Sequence, residues 1–157
     1  MSGKATPATA FQLSSTAFRE GETIPKSFTC EGDDIPPRLD WSNPPEGTKS
    51  YALIVDDPDA PGKVWIHWLA YDIPASTTHL DAQNARTGKT LTNDFGKPGY
   101  GGPCPPKGHG PHHYQFTLYA VDTPTLEVLG STRDALEEAL RPHTIATTRL
   151  TGIYERR

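Results

Sequence analysis

Along the chain, apolar residues mostly alternate with polar ones or gather in runs of strand length. Segments 11–18 and 22–30 are short, β-branched or aromatic, and broken by Gly21 and Pro25, so both read as strands. Between Pro37 and Pro44, Leu39 and Trp41 alternate with polar residues. The run 50–55 (SYALIV) is apolar throughout and stops at the turn-forming stretch Asp57-Pro58-Asp59-Ala60-Pro61-Gly62. The segment 64–73 (VWIHWLAYDI) follows. Strict alternation puts Val64, Ile66, Trp68 and Ala70 on one face and Trp65, His67, Leu69 and Tyr71 on the other. Both faces are largely apolar, which predicts a strand covered on both sides and buries His67 among Trp and Leu side chains.

Residues 97–114 (KPGYGGPCPPKGHGPHHY) break this pattern. Ten of these 18 residues are Gly or Pro, so the stretch is neither helix nor regular strand. It opens into a strand at 114–121 in which Tyr114, Phe116, Leu118 and Ala120 form the apolar face. The period of two extends that inward face to His112 and turns His113 outward. Helical spacing occurs at 132–141, where Leu136, Ala139 and Leu140 form a stripe, Ser131 with Asp134 fits a capping pattern and Pro142 ends the run. Residues 144–154 read as a last strand. Many strands and few helices predict a mostly β sandwich or barrel with a short helix.

Composition narrows this picture. The chain has 157 residues, the length of one domain, with residues 1–10 as a flexible polar tail and 11–157 as the domain. Its 14 Gly and 16 Pro make up about a fifth of the chain, against a usual ~12%, which favours a turn-rich β fold. A net charge of −4 with scattered basic residues argues against nucleic-acid binding. No apolar run approaches a transmembrane segment, and no leader is recognisable in the first ten residues, so a cytoplasmic location is expected. Two cysteines, Cys30 and Cys104, are too few for a disulfide scaffold, and their pairing is left open.

Four residues carry the candidate chemistry. Asp57 ends one strand, His67 lies within the next, and His112 and Tyr114 start a third on its inward face. Converging strand ends would give a pocket with two imidazoles, a carboxylate and a phenol, suited to a phosphoryl or carboxylate group. Gly-rich backbone nearby could add N–H donors. The plainer alternative is that Asp57 caps a turn and the histidines are satisfied core residues. A metal site from His67, His112 and Asp57, or from His109, His112 and His113, is a further alternative, but the close-spaced ligands of cupin-type barrels are missing. Cys104 between two prolines reads as inert rather than as a nucleophile. Asp56 and Asp59 read as residues that hold turn amides.

The motifs DPDAP at 57–61, WIHW at 65–68, GGPCPPKG at 101–108 and GPHHY at 110–114 together resemble the phosphatidylethanolamine-binding protein (PEBP) family, in its bacterial and archaeal Raf-kinase-inhibitor-like branch. The resemblance runs from about Phe11 to Tyr154. It implies a sandwich of two antiparallel sheets with one or two short helices and an anion pocket at one end. It assigns ligand binding to Asp57, Trp65, His67, Gly102, Pro106, Gly108, His112 and Tyr114, and makes Pro61 the candidate for a cis proline. His113 departs from the family's usual Arg, and His109 adds a titratable group at the loop rim.

The expected function is binding of a small anionic or phosphorylated ligand, without cofactor or metal. Two alternatives use the same pocket. One is a cofactor-independent enzyme with Asp57, His67, His112 and Tyr114 as acid–base groups, carrying out an isomerisation, cyclisation or hydrolysis. The other is a kinase or protease inhibitor acting through a protein partner. The resemblance also suggests a homodimer.

Overall fold

The computed structural model describes residues 10–157. The tail expected over 1–10 lies, apart from Ala10, outside the described residues. The chain forms β1 (Gln12–Ser14), β2 (Leu39–Ser42), β3 (Ser50–Asp57), β4 (Trp65–Pro74), β5 (His79–Leu80), β6 (Lys89–Leu91), β7 (His112–Val121), helix α1 (Arg133–Leu140) and β8 (Thr144–Tyr154). Segment 22–30, expected as a strand, holds instead one bridge from Thr23 to Ile153 and a short 3-10 turn at Lys26–Phe28. Pro25 opens that turn, and Thr29 closes it by hydrogen-bonding the Lys26 carbonyl.

The strands form two antiparallel sheets, as expected for the sandwich. The smaller has the order β1-β2-β5 and the larger β6-β4-β3-β7-β8. All eight residues of β3 are buried, because each face of the large sheet is covered. On one face Tyr51, Leu53 and Val55 join Leu13, Leu39, Trp41 and Leu80 of the small sheet in the main core. On the other, Ala52 and Ile54 pack with Ile66, Leu69, Leu136 and Leu140 beneath α1. Thr132, not Ser131, caps that helix, its hydroxyl accepting from the Ala135 N–H at 3.1 Å.

Strand β4 departs from strict alternation. Its pairing with β3 runs Val55 to Trp68 and then Asp56 to Ile66, so His67 is the extra residue of a bulge. Trp68 and Ala70 therefore turn into the main core, whereas Ile66 and Leu69 face the helix. His67 does not oppose Trp68 as alternation predicts. Its ring lies edge-on to Phe95 and Tyr114, at 5.3 and 5.2 Å between centroids. Among the described residues no peptide bond is cis, so Pro61 is trans, contrary to the expectation from the resemblance.

Candidate functional site

The site lies at the end of the sandwich where β3 finishes and β4 and β7 begin. Alternation along β3 settles which of two neighbouring carboxylates belongs to it. Asp57 continues the face of Leu53 and Val55, whereas Asp56 turns to the helix side and pairs with Arg133 at 2.7 Å rather than with a turn amide. A cavity of about 190 Å³ opens there. Asp57, His67, His112 and Tyr114 all line it, together with Trp65, Pro106 and a largely apolar wall from Ala60, Pro61, Phe95, Cys104 and Pro105. It is smaller than the ~300 Å³ at which drug-sized pockets begin, so it suits a small group.

Each polar side chain has a defined role. Asp57 does two things: Oδ1 accepts the Asp59 N–H at 2.8 Å, capping the turn, and Oδ2 accepts from His112 Nδ1 at 2.7 Å. The capping alternative thus describes Asp57, which also lines the cavity. The pair is buried, with side chains 4% and 2% exposed. His112 Nε2 meets His109 Nδ1 at 2.7 Å. His67 Nδ1 donates to the Gly101 carbonyl at 2.6 Å, which leaves its Nε2 for the cavity. Burial pushes the His67 pKa down, so the imidazole is neutral at pH 7 and presents Nε2 as an acceptor. The Tyr114 hydroxyl is buried near the Asp57 carboxylate, and among the described residues nothing meets it at hydrogen-bond geometry. Burial, reinforced by the Asp57 charge, raises its pKa and keeps the phenol protonated.

The two predicted glycines do not line the cavity. Gly102 donates its N–H to Asp34 Oδ1 at 2.7 Å, and a Cβ there would lie 2.3 Å from the Phe28 carbonyl. It serves close approach of the loop to the 3-10 turn. Gly108 faces the C-terminal segment, where its N–H donates to the Arg156 carbonyl. His113 is exposed and held by Asp59 at 2.7 Å. Both nitrogens of His112 are engaged, Nδ1 by Asp57 and Nε2 by His109. Among the described residues no group of three or more His, Cys, Asp or Glu is arranged to hold a metal.

Three features escaped the sequence reading. Phe95, 28 residues from His67, packs edge-on to Trp65 and His67. Only the close approach of Gly101, where a Cβ would lie 2.4 Å from the Phe95 ring, hints at that contact. Cys104 is bridged to Cys30, across 74 positions of sequence, and is no free thiol. Arg156 Nε donates to the Pro105 carbonyl at 2.7 Å, adding a permanent cation behind the cavity wall.

An antiparallel sandwich with a small polar-floored cavity at one end defines a ligand-binding β protein. Residues 14–155 match the family described as phosphatidylethanolamine-binding protein, and the chain belongs to that family. A UPF0098 protein of Aquifex aeolicus is 42% identical over 151 residues, covering 92% of this chain and 88% of its own. YbcL of Escherichia coli is 43% identical over 163 residues, covering 94% and 89%. The crystal structure of E. coli YbcL, described as a member of the mammalian PEBP family, superposes with a TM-score of 0.85 at 40% identity, over 94% of this chain and 99% of that one. A carboxypeptidase Y inhibitor complexed with its proteinase shares the fold with a TM-score of 0.55 at 16% identity. No helix among the described residues is long and apolar enough to cross a membrane.

Proposed function

We propose that this chain binds a small oxyanion, phosphoryl or carboxylate, in the cavity at the end of the sandwich, and takes up a proton as it does so. The observation that carries this reading is the Tyr114 hydroxyl, a buried donor that meets no hydrogen-bond partner among the described residues. Leaving such a group unmatched costs about 1–3 kcal/mol, so a ligand acceptor gains from meeting it. The second polar group, His67, has its Nδ1 hydrogen committed to Gly101. To donate to an anion, Nε2 must gain a proton that burial disfavours in the free protein. Affinity therefore rises as pH falls toward the depressed His67 pKa, by up to about tenfold per pH unit for each proton taken up.

Asp57 and His112 form an oriented acid–base pair, and that favours a second reading, a cofactor-independent enzyme acting on a small molecule in the same cavity. The Cys30–Cys104 bridge supports an oxidising compartment over the cytoplasm expected from the first ten residues. The protein-partner and homodimer readings gain no specific support from the geometry.

The test is calorimetric titration with inorganic phosphate between pH 6 and 8, in buffers of different ionisation heat. Saturable binding that tightens at lower pH is expected, with a buffer-dependent heat. Absence of binding across this range would remove the oxyanion reading. Binding without proton uptake would remove the role given to His67.

A further inference from the structure

We propose that His109 controls entry to this cavity from the loop beside it: it holds His112 Nε2 through an imidazole–imidazole hydrogen bond that an incoming oxyanion must break. The inference rests on the oxyanion reading above and adds to it a residue that filters what enters.

The geometry around His112 leaves one nitrogen in question. Asp57 as a carboxylate can only accept, so His112 Nδ1 carries a hydrogen and is committed to Asp57 Oδ2 at 2.7 Å. Nε2 is what remains, and His109 Nδ1 occupies it at 2.7 Å, with ring centroids 4.9 Å apart. One hydrogen lies between the two rings. An oxyanion that uses His112 competes with His109 for that position.

The two rings differ in how firmly they are held. His112 is 1% exposed, sits in β7 and is anchored by Asp57. Moving it would break a buried pair and a strand. His109 is exposed and sits on a turn, its N–H donating to the Pro106 carbonyl at 3.2 Å. Gly108 and Gly110 flank it with φ of +75° and +90°, in the left-handed region that favours glycine, and nothing packs within 4 Å of where their Cβ atoms would be. The ring that yields is therefore His109. When it leaves, the hydrogen between the rings stays on His112 Nε2 and is donated to the anion. His109, released to water, takes up one proton from solvent at its own Nε2 while His112 keeps a hydrogen on both nitrogens, so the exchange balances with one proton beyond the one taken up at His67.

This arrangement selects for charge. Hydrogen bonds to an ionised oxygen are roughly twice as strong as neutral ones. An oxyanion displaces His109, and a neutral ligand oxygen competes poorly. The competition also lowers the apparent affinity of every ligand that uses His112, because only the opened fraction binds.

The experiment is long-range 1H–15N NMR of the imidazoles in uniformly labelled protein at pH 8, with and without inorganic phosphate, beside phosphate affinities of the wild type and His109→Ala. Without phosphate, His109 is expected with its hydrogen on Nδ1, the form that free imidazoles disfavour. Saturating phosphate should return it to the Nε2–H form of an exposed ring. His109→Ala should bind phosphate about fivefold tighter, the effect of one hydrogen bond of about 1 kcal/mol. If phosphate moves the His67 and His112 signals while His109 keeps its Nδ1 hydrogen, or if His109→Ala binds no tighter, the role of His109 is overturned and the oxyanion site stands. If no imidazole responds to phosphate in either protein, both fall together.

Discussion

Asp56 and Asp57 are adjacent, both are nearly fully buried, and they belong to different kinds of region. Asp56 faces α1 and is held by Arg133 at 2.7 Å, a cation that is charged at every working pH. Asp57 faces the cavity and is held by the imidazole of His112 at 2.7 Å. On the helix side, burial pushes the Asp56 pKa up and Arg133 opposes that rise, a fixed pair that closes a packing face. On the cavity side, the Tyr114 hydroxyl makes no hydrogen bond and His67 is kept neutral by burial. Equal burial thus says little about function. What separates the regions is the partner, a guanidinium for Asp56 and an imidazole for Asp57, since among the described residues each side keeps a buried oxygen without a hydrogen bond, Asp56 Oδ1 and the Tyr114 hydroxyl.

Three variants break this comparison at different points. The largest effect on stability is expected from Cys30→Ser with Cys104→Ser. A bridge closing about 75 residues stabilises by about 4 kcal/mol on the loop-entropy account, and Cys104 also lines the cavity. Urea unfolding should show that loss, with phosphate affinity falling as the cavity wall loosens; unchanged affinity would separate the bridge from the site. Next, Arg133→Met leaves Asp56 buried without its cation and should cost about 3 kcal/mol. Phosphate binding by the folded variant should stay within about twofold of wild type, taking the ~0.5 kcal/mol by which distant sites depart from independence. A large loss would mean that the two faces of β3 are coupled. The smallest stability change is expected from Tyr114→Phe, which deletes a hydroxyl that makes no hydrogen bond. Its unfolding midpoint should be equal to or slightly above wild type, while phosphate affinity drops about tenfold, the worth of one good hydrogen bond. Stability and binding thus move in opposite proportion on the two sides of one strand.

Much of the site was legible because a period of two is robust over short distances. From Tyr114 and Phe116 it extends inward to His112 without error, and along β3 it separates Asp57 from Asp56 once the core face is known. The same rule failed in β4, where the bulge at His67 adds one residue and puts Trp68 on the cavity side. A bulge leaves little trace in a run that is apolar on both faces, because either register buries the same kinds of side chain. The strand expected at 22–30 failed for a related reason. Its β-branched residues serve a bridge and a 3-10 turn, and local propensity does not distinguish these. Phe95, Arg156 and the Cys30–Cys104 bridge depend on how long loops return to the sandwich, and spacing carries no information about that path.

The central claim is that an oxyanion enters the cavity lined by His67, His112 and Tyr114. The direct measurement is an NMR titration of the six imidazoles with inorganic phosphate, assigned through His67→Gln and His112→Gln. The signals of His67 and His112 should move together and saturate at one concentration, and those of His79 and His143, which pair with Asp81 and Asp122 at the surface, should stay in place. Movement confined to His79 and His143, or none at all, would contradict the account.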